Sequence, residues 1–295
     1  MKDDLSKFGK LKENVDLKNY NTYKVSAFAK YLIDVKSEES LLELIKYLNN
    51  KKIKYLILGN GSNVVLPEED FDGVIVRLNG LNKIEIDDDE VYVGAGVMLP
   101  KLVSETVNNC LTGLEWASGI PGTVGGAVVG NAGAYLSDFF TFIEEIKVLD
   151  NNEIKTLRKS DVTYSYRYTS FKENKNIIIL GVKLKLEKGN ADESQEIMKN
   201  RLERRIKSQP LNYPNAGSVF RNPEGDYAGR LIEECGLKGK RIGGAMVSEK
   251  HANFIINYDN ATASDVRNLI KYVHDIVLEK QKVDLIIEQE LIDWR

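Results

Sequence analysis

The chain has 295 residues, 42% hydrophobic and 29% charged, with a formal net charge of -3; this composition suits a folded protein with room for two domains, and the mild acidity disfavours a nucleic-acid binder, whose footprint is strongly basic. Its two cysteines lie outside any CxxC pair and its two histidines, His251 and His274, are well separated, which argues against a disulfide framework and against the usual cysteine or histidine metal sites. No apolar run approaches the roughly 18 residues of a membrane span, and residues 1–15 carry no apolar signal core, so an unexported, cytoplasmic protein with no membrane insertion is expected.

Residues 30–35 read as a strand. Ser37 then offers a helix N-cap, Glu38 and Glu39 suit the first turn, and Leu41, Leu42, Ile45 and Leu48 recur at helical spacing. A compact apolar strand over 54–58 is expected to complete a βαβ unit and runs straight into GNGSNVVL at 59–66, where phosphate loops sit in such units. Gly59 and Gly61 lack side chains, so main-chain N–H groups can converge on an anion, while Asn60, Ser62 and Asn63 add neutral donors. Neither the Walker nor the GxGxxG spacing is met, and an ordinary turn fits the same residues. Short strands follow at 73–78, 83–86 and 90–93, parted by Asn79-Gly80 and the acidic turn 87–89, and a helix covers 99–109.

The densest signal is GIPGTVGGAVVGNAGAY at 119–135. Glycine inside a helix costs about 0.5–1 kcal/mol relative to alanine, so a planar or phosphorylated group is expected to lie against this backbone. Pro121 suits a first helical turn, and Thr123, Val124, Ala127, Val128 and Val129 supply a small-residue helix; a tightly packed turn is the alternative. A hairpin through Asn151-Asn152 joins 142–150 to 153–157, and SYRYTS precedes a strand at 177–186. The highly charged helix 191–209 stops at Pro210 and is read as the joint between residues 1–190, in two subdomains of about 1–80 and 81–190, and residues 191–295, with helices at 227–235 and 263–281. Segments 211–223 and 236–257 cluster Gly, Asn, Lys and Arg beside aromatic residues, as an anionic-ligand site does.

Taken in order, GNGSNVVL, GIPGTVGGAVVGNAGAY, YSYRYTSF, AGSVFRNP, LKGKRIGGAMVSEKHANFIIN and LIIEQELID resemble the UDP-N-acetylenolpyruvoylglucosamine reductases, MurB, from about residue 20 onward. The short interval between Arg167 and Ser218 resembles the subclass lacking a lid insertion. The resemblance implies an α+β fold: a two-subdomain FAD-binding domain of the vanillyl-alcohol-oxidase/PCMH type and a C-terminal α/β substrate domain. It implies non-covalent FAD, with Gly59, Asn60, Gly61, Ser62 and Asn63 on the pyrophosphate and Gly119, Pro121, Gly122, Gly125, Gly126 and Ala127 along the flavin. It also implies NADPH as hydride donor and UDP-N-acetylglucosamine enolpyruvate as substrate, reduced to UDP-N-acetylmuramate for peptidoglycan.

Hydride addition to the enolpyruvyl β-carbon leaves an enolate, which calls for a fixed cation and a proton source. By motif position Arg167 is the cation, Ser218 the proton donor and Glu288 a partner stabilising the enol; Tyr166, Arg221, Asn222, Lys238 and Lys250 are expected on the substrate. Without the resemblance, Arg167 reads as one half of a surface ion pair and Ser218 as a turn serine, while Glu288 and Glu290 alternate onto one wet face of the last strand. The sequence departs from the family pattern at Ser26, at Val129-Gly130 and at Gln289-Glu290. The alternatives are a flavin oxidase of a small alcohol or sugar on the same FAD domain, and a UDP-sugar-binding protein without turnover. A monomer is expected.

Overall fold

Leu41, Leu44, Ile45 and Leu48 form the buried face of the helix Glu38–Lys51, and Ser37 caps it by accepting from Ser40 N. The chain is described here from a computed structural model that places residues 1–294. It divides into two units, the first made of residues 1–13, 31–59 and 72–203, the second of residues 14–30, 60–71 and 204 onward.

A four-stranded sheet, mostly in the first unit, has the order Gly9–Asp16, Phe28–Val35, Phe71–Arg77, Tyr55–Ile57. The expected βαβ unit is therefore opened by an inserted strand: Tyr55–Ile57 runs parallel to Phe71–Arg77, with Tyr55 opposite Val74 and Ile57 opposite Val76. Burial explains the order, because Val74, Ile75 and Val76 are all 0% exposed and a run buried on both faces belongs at the centre rather than the edge. The second sheet of this unit has the order Glu153–Arg158, Ile143–Asp150, Ile178–Lys185, Glu90–Gly94, Ile84–Asp87, antiparallel throughout. Its first hairpin turns through Asn151 and Asn152, whose φ values of 49° and 63° are those of a tight primed turn. The helices Leu99–Asn108 and Val124–Gly130 complete the unit, and their apolar residues join Val91, Val93, Trp116, Ile146 and Leu184 in one core.

In the second unit, strands Arg241–Ile242, Ala245–Val247 and Ile255–Asn257 form an antiparallel sheet. The helix Ala263–Gln281 packs on it and buries Val266, Leu269, Ile270, Val273 and Val277. Tyr23, Val65, Val219, Phe220, Leu231 and Ile232 belong to this second core. Glu290–Leu291 pairs in parallel with Val64–Val65. The expected last strand is thus shorter than its apolar pattern: Glu288 lies ahead of the ladder, beside the isolated bridge of Ile287 to Phe220.

Candidate functional site

In the first unit the glycine-rich stretch folds as a short helix that starts later than Pro121. Thr123 is the N-cap, its Oγ1 accepting from Gly126 N at 3.3 Å; a hydroxyl satisfies a first-turn donor and proline has no such group, so Pro121 stays outside. Gly125 is buried, and a Cβ on it would lie 3.1 Å from Ala95 Cβ and 3.3 Å from Ala95 O. Gly126 is exposed and would meet only Thr123 Oγ1, at 3.5 Å, while a Cβ on Gly130 would meet nothing within 4 Å. One side of the helix is locked against Ala95 and another presents bare backbone. Gly59 comes to the same place, since its missing Cβ would sit 2.8 Å from Thr123 Oγ1. At the Val129-Gly130 departure, Val129 O accepts from Thr169 Oγ1 at 2.7 Å and Gly130 leaves open space rather than a clash.

The helix ends at Asn131, a buried residue that sequence reasoning passed over. Its Nδ2 donates to Ser165 O at 2.9 Å and to Asp138 Oδ2 at 3.2 Å, and its Oδ1 accepts from Phe140 N. An asparagine following glycine in a left-handed helix cap was the available signal. Asn131 thereby hangs the hairpin of Tyr164–Ser165 and Tyr168–Thr169 from the end of the glycine helix. Arg167 sits at the hairpin tip and donates from Nη2 to Gly133 O at 2.5 Å, with its guanidinium carbon 5.6 Å from the centroid of the Tyr166 ring. Two motifs that lie apart in sequence, NAGAY and SYRYTS, meet here.

The loop 59–63 spans the division of the chain, Gly59 belonging to the first unit and Asn60 to Asn63 to the second. Gly61 has φ +64°, and a Cβ would fall 2.2 Å from Tyr20 O, so only glycine fits. Its carbonyl accepts from Thr22 N at 3.1 Å. Asn63 faces the C-terminal stretch: its carbonyl accepts from Glu290 N at 2.9 Å and its Nδ2 donates to Glu288 O at 3.2 Å.

That stretch also organises the Ser218 segment. Glu288 N donates to Val219 O at 2.8 Å, Arg221 N donates to Ile286 O at 2.9 Å, and Ser218 bridges Phe254 on its other side. Asn253, 3% exposed, steadies the segment by bonding both Phe220 N and Phe220 O. Ser218, Arg221 and Glu288 are thus gathered on two hydrogen-bonded runs. Arg221 Nε lies 3.1 Å from Glu288 Oε2, with the two side chains 22% and 13% exposed, so Glu288 is a covered, paired carboxylate while Glu290 is exposed. A pair this enclosed depends on both members, because removing one strands the other charge.

The other expected substrate residues are scattered over the second unit. Asn222 Oδ1 accepts from Ala228 N at 3.1 Å and steadies the start of the helix Ala228–Glu234. Lys238 Nζ is 2.6 Å from Glu233 Oε1. Lys250 Nζ donates to Ile206 O at 2.5 Å and lines a cleft of about 520 Å³ with Tyr213, Arg241, Ser248 and Tyr258, a lining that includes none of Ser218, Arg221 and Glu288. Ser26, at the first departure, donates to Asp16 Oδ2 at 3.1 Å.

The chemistry of these parts fits FAD. The loop 59–63 holds no carboxylate and offers amide and hydroxyl donors, which suits a pyrophosphate. Gly126 and Gly130 strip side chains from the helix surface, which suits a flat ring.

Comparison with known proteins agrees with this reading. Residues 29–156 match the model of an FAD binding domain, and residues 209–292 match that of the UDP-N-acetylenolpyruvoylglucosamine reductase C-terminal domain. A protein of that name from Caldanaerobacter subterraneus subsp. tengcongensis is 43% identical over 290 residues, 98% of this chain and 96% of the relative. One from Clostridium kluyveri is 39% identical over 96% of this chain and 93% of its own length. The crystal structure of the reductase from Thermus caldophilus superposes with a TM-score of 0.83 at 33% identity, covering 97% of this chain and 100% of that one.

Proposed function

The chain belongs to the UDP-N-acetylenolpyruvoylglucosamine reductase family, and from that premise we propose that it reduces the enolpyruvyl ether of UDP-N-acetylglucosamine to UDP-N-acetylmuramate in peptidoglycan precursor synthesis. FAD is the cofactor and NADPH the reductant; when bound, FAD would supply the hydride, drawn from NADPH, that the enolpyruvyl β-carbon needs. The match of residues 209–292 to the reductase C-terminal domain weighs against the oxidase alternative. The reading places the protein in the cytoplasm as a monomer; no helix among the described residues is long and apolar enough to cross a membrane.

This chain's residues do the rest. Gly59 to Asn63 would hold the pyrophosphate, and Gly119, Pro121, Gly122, Gly126 and Ala127 the flavin, without a covalent bond, while Gly125 would support that surface by packing on Ala95. Charge develops on the α-carbon and carboxylate as the β-carbon is reduced. Arg167, a planar fork of fixed charge, is suited to pair with that carboxylate in a way lysine is not. Ser218 gives its hydroxyl proton to the α-carbon, and Glu288, oriented by Arg221, stabilises the enol. Tyr166, Arg221, Asn222, Lys238 and Lys250 serve the nucleotide sugar.

The observation that carries the assignment is the gathering of Ser218, Arg221 and Glu288 on two bonded runs from distant parts of the chain. Ser218→Ala tests it. Anaerobic bleaching of the flavin by NADPH should proceed at close to the wild-type rate, since no proton donor is needed there. Reoxidation by the enolpyruvyl substrate should slow by about 100-fold, the loss expected for a positioned proton donor. Normal reoxidation would show that the proton comes from elsewhere.

A further inference from the structure

The residues just ahead of Ser218 are fixed from behind by a side chain to which neither the family motif nor the reaction gives a role. Gln289 is 3% exposed. Its Nε2 donates to Ala216 O and to Gly217 O, each at 3.2 Å, and its Oε1 accepts from the Tyr23 phenol at 2.9 Å. Only one amide orientation serves all three bonds, because a flipped amide would set Oε1 against two carbonyl oxygens that have nothing to donate.

Tyr23 is 0% exposed, and burial pushes its phenol well above the ordinary value, so it remains a neutral donor. Its main chain is pinned as well, Tyr23 O accepting from Asn257 Nδ2 at 2.9 Å. Gly217, by contrast, has φ +78° and nothing within 4 Å of where a Cβ would be. The residue that precedes Ser218 thus has no side chain of its own to hold it in place. That task falls to polar bonds: Asn215 Oδ1 accepts Gly217 N at 3.0 Å, and Gln289 takes the two carbonyls. Because Glu288 N already fixes Val219 O, two consecutive residues of one stretch clamp the backbone on both sides of Ser218.

We infer that Gln289, oriented by Tyr23, is a positioning residue that holds the Ser218 hydroxyl in line for proton delivery; the inference rests on the reading of Ser218 as the donor. Its test uses the FAD-loaded full chain. Gln289→Met keeps the side-chain volume and removes all three bonds. It should leave flavin bleaching by NADPH at the wild-type rate and substrate Kd within about twofold, while reoxidation by the substrate slows about 10- to 100-fold, the scale set by misplacing a reacting group by about 1 Å. Tyr23→Phe, which keeps the ring, should slow reoxidation in the same way by a smaller factor. In a Ser218→Ala background Gln289→Met should add almost nothing, since changes acting through one group are not additive.

If Ser218→Ala is slow but Gln289→Met and Tyr23→Phe both reoxidise at the wild-type rate, the positioning role is overturned and the donor assignment stands. A lowered Tm in these two variants with unchanged reoxidation overturns it equally, by assigning the network to stability. If Ser218→Ala itself reoxidises normally, the donor reading has failed and takes this inference with it.

Discussion

Two adjacent glycines in the flavin stretch, alike in sequence, have opposite surroundings. Gly125 N donates to Ala95 O at 2.9 Å, and the space a Cβ would need is taken by Ala95; Gly126 faces outward with only Thr123 Oγ1 within reach. Gly125→Val is therefore expected to destabilise the fold, by about 1–3 kcal/mol for overpacking, seen as a lower Tm even in apoprotein. Gly126→Val should melt near the wild type yet hold little flavin after purification. Equal flavin content in wild type and Gly126→Val would remove this residue from the ring's surface. From the sequence both glycines read as space kept for the flavin, because Ala95 lies 30 positions away in the chain and its approach is a tertiary fact. Gly61, between Asn60 and Ser62 after a strand, already reads as a turn or loop glycine in the sequence, and the approach of Tyr20 O shows why no other residue fits. Gln289 was visible only as a departure from the family pattern, and its purpose depends on Tyr23 and on two carbonyls remote in sequence.

At the scale of elements, local chemistry was read well and neighbourhood poorly. The Ser37 cap, the Asn151-Asn152 turn and the helix Ala263–Gln281 are written in a few consecutive residues and stand where those residues put them. The sheet order is not local, and Phe71–Arg77 enters between two strands that the pattern paired. Glu115 shows how separate elements are fastened. It is 5% exposed and accepts from Thr112 Oγ1 at 2.6 Å, Ser194 Oγ at 2.6 Å and Gly113 N at 3.0 Å, which ties the approach to the glycine stretch to the first turn of the helix Ala191–Ser208. Burial alone pushes its carboxyl up, but the bonds from Ser194, Thr112 and Gly113 outweigh burial and hold it below the ordinary value. Glu115→Ala takes the acceptor from the buried Ser194 hydroxyl and from two part-buried donors and should cost about 1–3 kcal/mol. A group whose folded value is lowered stabilises above its unfolded value, 4.5 for this carboxyl, and loses that stabilisation as pH falls through the folded one. The Tm gap between wild type and Glu115→Ala should accordingly be full at neutral pH and narrow on acidification below about 4.5. A gap independent of pH would mean that the carboxylate charge plays no part in the fastening.

For the whole molecule, the chain has two hydrophobic cores and crosses from one unit to the other several times. The second unit is assembled from residues 14–30, 60–71 and the C-terminal third, so its hydrogen bonds span long loops: Glu290 N to Asn63 O, Ile292 N to Val65 O, Glu288 N to Val219 O. Such bonds exchange together when a unit opens cooperatively. The residues proposed for FAD can be taken unit by unit, Gly59 and Gly119 to Ala127 in the first and Asn60 to Asn63 in the second. A ligand bound only by the folded form stabilises it by RT ln(1 + [L]/Kd), about 2.7 kcal/mol at 100 times Kd, which is roughly a 100-fold slowing of exchange through opening. Hydrogen exchange of apoprotein and FAD-loaded protein can therefore be read unit by unit. If the assignments in both units are right, FAD slows the amides of Ala127 and Val182 and those of Glu288, Glu290 and Ile292 alike. If only the first set responds, Asn60 to Asn63 do not hold the cofactor, and the loop that most resembles a phosphate cradle is a turn shaped by Tyr20 and Thr22.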